Sequence, residues 1–222
     1  MQNKLPKAII FDWDNTLIDS WPLIHAAINK TMAHMGKPLM SLEEIKCNIH
    51  KSMRESFPQI FGDRWQEAGD VYVDSYKKDH LDNLQFLPDA VSLIEYAQQL
   101  RIDLFVISNK MGDTLRKEAK KLKVADKFIN IVGAGDAKKD KPSKDVVDFT
   151  LKNSGQNNIL DPRQDFIWFV GDTIVDVECA INSGCLPVLY GAKPPVDNDE
   201  ADKNMLYFTN HRQIISFLQN LA

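Results

Sequence analysis

Four short, almost continuously apolar runs limit what this chain can fold into: Ala8-Ile9-Ile10-Phe11, Asp103-Leu104-Phe105-Val106-Ile107, Phe128-Ile129-Asn130-Ile131-Val132 and Phe166-Ile167-Trp168-Phe169-Val170. A strand with one wet face alternates apolar and polar side chains, whereas a strand covered on both faces does not. The runs therefore predict strands inside a parallel sheet. A shorter fifth run, Leu186-Pro187-Val188-Leu189-Tyr190, follows a helix stop at Gly184. Helical patterns fill the intervals 90–100, 114–122, 143–153 and 174–183. Strands alternating with helices of about 10–15 residues predict an α/β fold, a doubly wound parallel sheet.

The rhythm is broken once, between residues 17 and 86, where no buried-strand run occurs. Ile24, Ile28, Thr31 and Met35 fall at helical spacing, Ser20 and Pro22 suit a helix entry, and Gly36-Lys37-Pro38 ends the pattern. Ser41 and Glu44 have the spacing of a capping box, and further helices are predicted over 52–60 and 65–84. Leu87-Pro88-Asp89 marks the return. Roughly 70 residues is far longer than an ordinary crossover connection. An inserted all-helical domain is the economical reading, with a core from 1–16 and 87–222 and a helical cap from 17–86. The insertion follows the carboxyl end of the first strand, where ligands bind in open α/β sheets, so it is expected to act as a lid.

A net charge of −4 over 222 residues offers no basic field for nucleic acid and no attraction to an anionic membrane surface. A phosphorylated small molecule stays compatible, because one bound divalent cation reverses the local field. Cys47, Cys179 and Cys185 form no CxxC pair, which excludes a disulfide framework and a zinc cluster and predicts reduced, buried fillers. The apolar run before Asp12 is only four residues long, too short for a signal-peptide core, and no stretch approaches a membrane span. A cytoplasmic protein is expected; nothing in the sequence speaks to oligomeric state.

Polar residues gather at the predicted strand ends. The first strand ends in Asp12-Trp13-Asp14-Asn15-Thr16 and the second in Ser108-Asn109-Lys110. Lys141-Pro142 opens the segment after the third, and Gly171-Asp172-Thr173 ends the fourth, with Asp176 beyond it. Each has a plainer explanation alone: a capped turn at Asp14 and Asn15, a strand end at Ser108, a solvated run at 138–141, a helix N-cap at Asp172. On one rim of a doubly wound sheet, however, these acids, a hydroxyl and an ammonium converge. Crowded carboxylates raise one another's pKa values, and a hard cation with oxygen ligands, most simply Mg²⁺, resolves the conflict.

The order Asp-x-Asp-x-Thr, Ser, Lys-Pro, Gly-Asp-x-x-x-Asp resembles the four motifs of the haloacid dehalogenase-like phosphohydrolases, with their Rossmann-like core. The insertion resembles their C1-type helical cap, and DWDNTLIDS is similar to the opening of the phosphoglycolate phosphatase-like members. The resemblance implies Mg²⁺-dependent hydrolysis of small phosphorylated metabolites. Asp12 would be the nucleophile that forms an aspartyl-phosphate, and Asp14 the general acid and base. Ser108 and Lys141 would hold the phosphoryl oxygens, with Asn109 and Thr16 also at the substrate. Asp12, the backbone carbonyl of Asp14, and Asp172 would hold the metal, with Asp176 supporting its water.

Three departures from the family pattern bear on this. Asn15 stands where the family has Gly, and Asn is the best substitute if that residue needs a positive φ. Lys144 replaces a second proline. His50, flanked by Lys51 and Arg54, replaces a cap glycine, which makes these three the candidates for substrate selection.

Asp14 argues against dehalogenase chemistry, while a phosphomutase would share the same core. Phosphonate cleavage would need a cap lysine able to form a Schiff base, and nothing marks Lys30, Lys37 or Lys51 for that role. A receiver-type signalling domain carries its phosphoacceptor on a later strand in a shorter chain. A non-catalytic binding module is disfavoured by the presence of both Asp12 and Asp14. Trp21, Trp65 and Tyr76 read as packing rather than a partner surface. Met32, Met35 and Met40 read as core filling. His25 and His34, nine residues apart, make a poor metal pair.

Overall fold

The computed structural model describes residues 4–48, 53–79, 81, 84–152, 160–191 and 205–222. Strand β1 (Ala8–Phe11) leads into four helices, α1 (Trp21–His34), α2 (Leu42–Asn48), α3 (Met53–Phe61) and α4 (Trp65–Asp79). The chain then alternates through α5 (Ala90–Gln99), β2 (Asp103–Met111), α6 (Gly112–Lys121), β3 (Asn130–Ala134), α7 (Lys144–Lys152), β4 (Ile167–Gly171), α8 (Ile174–Ser183), β5 (Leu186–Tyr190), β6 (Leu206–Phe208) and α9 (His211–Leu221). The sheet runs β3-β2-β1-β4-β5-β6 with every pairing parallel, which is the doubly wound α/β fold predicted above.

Burial on both faces explains the apolar runs. Ala8 and Ile10 pack toward Val146, Val147 and Leu151 of α7 and Cys179 and Ala180 of α8. On β4, Phe169 joins that cluster, whereas Trp168 meets Phe217 of α9 at 5.9 Å between ring centroids. Each of the larger side chains here, the Val, Leu, Ile and Phe, contributes about 1.5–3 kcal/mol on burial. Cys179 and Cys185 are buried free thiols, pushed up to about 12 by that burial, which fits inert fillers. The Cys47 side chain lies outside the described residues.

The third strand departs from its apolar run. A 3₁₀ turn over Ala125–Lys127 delivers Phe128, and Ile129 N–H donates to the Leu104 carbonyl before the ladder opens at Asn130, opposite Phe105. Phe128 and Ile129 are apolar because the approach is covered, although the strand starts two residues later. The sixth strand, β6, was not expected.

The chain divides into two compact units, Met1–Ile18 with Phe86–Ala222, and Asp19–Gln85. The first holds the sheet. The second is helical, and its core combines Ile28, Met32, Met35, Ile45, Phe57 and Phe61, with Trp21, Met40 and Trp65 packed alongside. Tyr76 is buried with Leu23 and Ala27. The capping box forms: Ser41 N–H donates to Glu44 Oε2 at 2.7 Å, and Glu44 N–H to Ser41 Oγ at 3.2 Å. His50, Lys51 and the Arg54 side chain lie outside the described residues. Among those described, no helix is long and apolar enough to cross a membrane.

Candidate active site

The site grows from the point where the sheet's winding reverses, between β1 and β4. Asp12 N–H donates to the Val170 carbonyl at 2.8 Å, which extends the β1–β4 ladder one residue past the end of β1. Asp12 and Asp172 therefore emerge from adjacent strands. Asp176 joins them through the first turn of α8, where its Oδ2 accepts from the Thr173 N–H at 3.1 Å and hydroxyl at 2.7 Å. Gly171 makes room for it. A Cβ at position 171 would lie 2.3 Å from both Cβ and Cγ of Asp176, closer than any real contact. As a result, carboxylate oxygens of Asp12, Asp172 and Asp176 all lie within 4.8 Å of one another.

Lys141 reaches into this triangle from the loop before α7. Its ammonium donates to Asp12 Oδ1 at 2.6 Å and to Asp176 Oδ1 at 2.7 Å, with the side chain only 4% exposed. Asn109 fixes the lysine's backbone: Lys141 N–H donates to Asn109 Oδ1 at 3.1 Å, and Asn109 Nδ2 donates to the Lys141 carbonyl at 3.2 Å. The solvated-run reading of 138–141 thus holds for the exposed Lys138 and Lys139 but not for Lys141. Ser108 is buried at the end of the apolar part of β2, and its Oγ accepts from the Lys110 N–H at 3.1 Å. Thr16 donates its hydroxyl to Asp172 Oδ1 at 3.3 Å. The Thr16 carbonyl and that of Pro88 each lie 2.8 Å from a ring nitrogen of His211.

Asn15 has φ 60°, the left-handed conformation expected of a residue standing in for glycine. The turn it makes brings its N–H to the Ile18 carbonyl at 2.7 Å. The Asp14 carboxylate engages a different partner from the other three acids. Lys110 Nζ donates to Asp14 Oδ1 at 2.7 Å and to Glu118 Oε2 at 2.7 Å. The Trp13 indole N–H donates to the same Glu118 oxygen at 2.7 Å. Neither Glu118 nor the reach of Lys110 was anticipated from the sequence.

The electrostatics follow from burial and crowding. Asp12 is pushed up to about 7 by burial, which outweighs the attraction of Lys141, with Asp176 and Asp14 adding repulsion. Burial, then Asp12 and Asp176, raise Asp172 well above the usual carboxylate range. Burial alone would lower the Lys141 ammonium, but Asp12 and Asp176 together reverse this and hold it above the ordinary lysine value. One ammonium among these carboxylates leaves the cluster short of positive charge. Its donor set is all hard oxygen, with no thiolate or imidazole in the triangle, which fits Mg²⁺ and does not fit a soft metal.

The fold and site together define a class: doubly wound α/β proteins with an acid cluster and a buried lysine at the switch point, where ligands of open sheets bind. Residues 9–189 match the haloacid dehalogenase-like hydrolase family, and the chain belongs to it. Curated relatives include a phosphoglycolate phosphatase from Chromobacterium violaceum, 28% identical over 86% of this chain and 87% of that one. Another from Aquifex aeolicus is 29% identical over 80% of this chain and 81% of its own. Among solved structures, a haloacid dehalogenase-superfamily hydrolase from Ehrlichia chaffeensis is 30% identical, with a TM-score of 0.66 and 98% of both chains covered. A haloacid dehalogenase-like family hydrolase from Streptococcus pneumoniae shares the fold at a TM-score of 0.81, with 24% identity over 99% of this chain and all of the other. The chain is a phosphoglycolate phosphatase-like member of the family, as its motifs led us to expect.

Proposed function

We propose that the protein is a magnesium-dependent phosphatase that hydrolyses small phosphate monoesters through an aspartyl-phosphate on Asp12. The observation that carries this reading is the Lys141 ammonium 2.6 Å from Asp12, inside a triangle of carboxylates at the sheet's switch point. Burial raises the Asp12 carboxyl to about 7, which works against the ionised form a nucleophile needs. A bound Mg²⁺ would supply the missing positive charge, favouring the ionised acids and neutralising the phosphate's non-bridging oxygens. Asp12, Asp172 and the Asp14 carbonyl would hold it, with Asp176 behind them.

Lys141 and Ser108 would hold the phosphoryl oxygens while Asn109 keeps Lys141 in place and Thr16 orients Asp172. As the bond from Asp12 to phosphorus forms and the ester bond breaks, Asp14 gives its proton to the leaving oxygen. It then takes a proton from the water that attacks phosphorus, which releases inorganic phosphate and restores Asp12. The helical unit would serve as the cap, with His50, Lys51 and Arg54 as candidates for substrate choice. The substrate is a small phosphorylated metabolite handled in the cytoplasm. Curated relatives named phosphoglycolate phosphatase and pyrophosphatase put phosphoglycolate and pyrophosphate first in the panel to be tried.

The test is inorganic phosphate release from that panel with Mg²⁺, with a chelator, and with Asp12→Asn. Release that needs both Mg²⁺ and Asp12 is expected. Undiminished release by Asp12→Asn would overturn the proposal.

A further inference from the structure

We infer that Lys110 and Glu118 are positioning residues, a buried ion pair that holds the Asp14 carboxylate in the orientation its proton transfers require. The inference rests on the phosphatase reading above and adds to it two residues outside the four motifs.

Glu118 lies on the core-facing stripe of α6, between Leu115 and Ala119, where an aliphatic side chain would pack. Its side chain is fully buried. Replacing a buried ion pair by well-packed hydrophobic residues is often neutral or stabilising, so fold stability does not explain a carboxylate there. Its partners do. Glu118 Oε2 accepts from Trp13, whose residue separates Asp12 from Asp14, and from Lys110, two residues beyond Ser108. The indole contact ties the backbone between the two catalytic aspartates to a helix anchored in the core.

The ammonium contact does a second job. Lysine carries its charge on a flexible four-carbon stem and is a poor positioning group unless its ammonium is pinned. Here it is pinned between Glu118 Oε2 and Asp14 Oδ1, at 2.7 Å from each. One oxygen of Asp14 is thereby committed, which fixes the plane of the carboxylate. Proton transfer to a leaving oxygen depends on that plane, because donor and acceptor must meet within hydrogen-bond reach.

The test separates positioning from structural support. An aryl phosphate such as p-nitrophenyl phosphate expels a stable anion and needs little help from a general acid, whereas an alkyl phosphate expels an alkoxide that must be protonated. In Glu118→Gln and Lys110→Met, kcat/KM for the best alkyl phosphate should fall about tenfold or more beyond the fall for the aryl ester. Equal falls for both esters, or no fall, would overturn the inference. Wild-type protein with no Asp12-dependent release from either ester would remove the phosphatase reading, and this inference with it. If Glu118→Gln does not fold, Lys110→Met carries the same comparison. A readout independent of turnover is the Trp13 indole proton in NMR spectra of substrate-free Glu118→Gln. It should shift when its acceptor loses charge, and an unmoved resonance would contradict the contact.

Discussion

Replacing Lys141 by Met tests the electrostatics of the cluster, because the two side chains are similar in length and the ammonium is lost with its charge and its hydrogen bonds to Asp12 and Asp176. Lys141, Asp12 and Asp176 have side chains 4%, 8% and 3% exposed, so water cannot take over the ammonium's role. Removing one partner from a buried pair costs about 3–5 kcal/mol. The carboxylates left behind can escape part of that cost by taking up a proton, which makes the loss depend on pH. Asp12, at about 7 in the wild type, moves higher without the ammonium. A carboxyl raised in the folded state contributes stability that is full below its unfolded pKa and lost as pH rises through its folded one. The variant's deficit should therefore be smallest near pH 5 and reach about 3–5 kcal/mol near pH 9. The difference between those two conditions is at least about 1.4 kcal/mol if Asp12 moves by a single unit. Urea unfolding of metal-free protein at both pH values measures it. The same loss at both, or a loss under about 1 kcal/mol at the higher pH, would refute the idea that Lys141 compensates buried acids.

Other expectations follow from the same geometry. With Asp12 raised from 3.8 to about 7 and Asp172 raised as well, metal-free wild type should lose stability as pH rises through that window. Added Mg²⁺ should then raise the melting temperature more at pH 8 than at pH 5, and equal increments would contradict this. Asn15→Gly should change stability by less than about 0.5 kcal/mol, whereas Asn15→Val should cost about 1–2 kcal/mol at φ 60°, read from urea midpoints. Gly171→Ala places a methyl 2.3 Å from Asp176 and should reduce phosphate release strongly, because Asp176 must leave the triangle. Undiminished release would show that Asp176 is not needed there.

How far the fold was legible depended on burial. Runs such as Ala8-Ile9-Ile10-Phe11 are unambiguous because both faces of the strand are covered, and nothing polar interrupts them. The start of β3 was misplaced because Phe128 and Ile129 are covered on the approach to the sheet, and apolar character marks burial rather than pairing. β6 has three residues, one of them exposed, and leaves too short a signal. The acids were legible by position, since Asp12 directly follows an apolar run and Asp172 follows another after Gly171. Lys141 was nearly hidden by the exposed Lys138 and Lys139 beside it. Glu118 was fully hidden: it sits among Lys117, Lys120 and Lys121, which read as a solvated face, and only the stripe of Leu115, Ala119 and Leu122 places it inward. Its partners are eight and 105 residues away, so no local pattern could have joined them.

Rapid acid quenching during turnover with Mg²⁺, followed by peptide mass spectrometry, tests directly whether Asp12 takes the phosphoryl group. We expect the mass of one phosphoryl group on the peptide that contains Asp12, lost on treatment with hydroxylamine and missing from Asp12→Asn. Phosphate release that continues in Asp12→Asn, with no trapped adduct on the wild type, would contradict the mechanism.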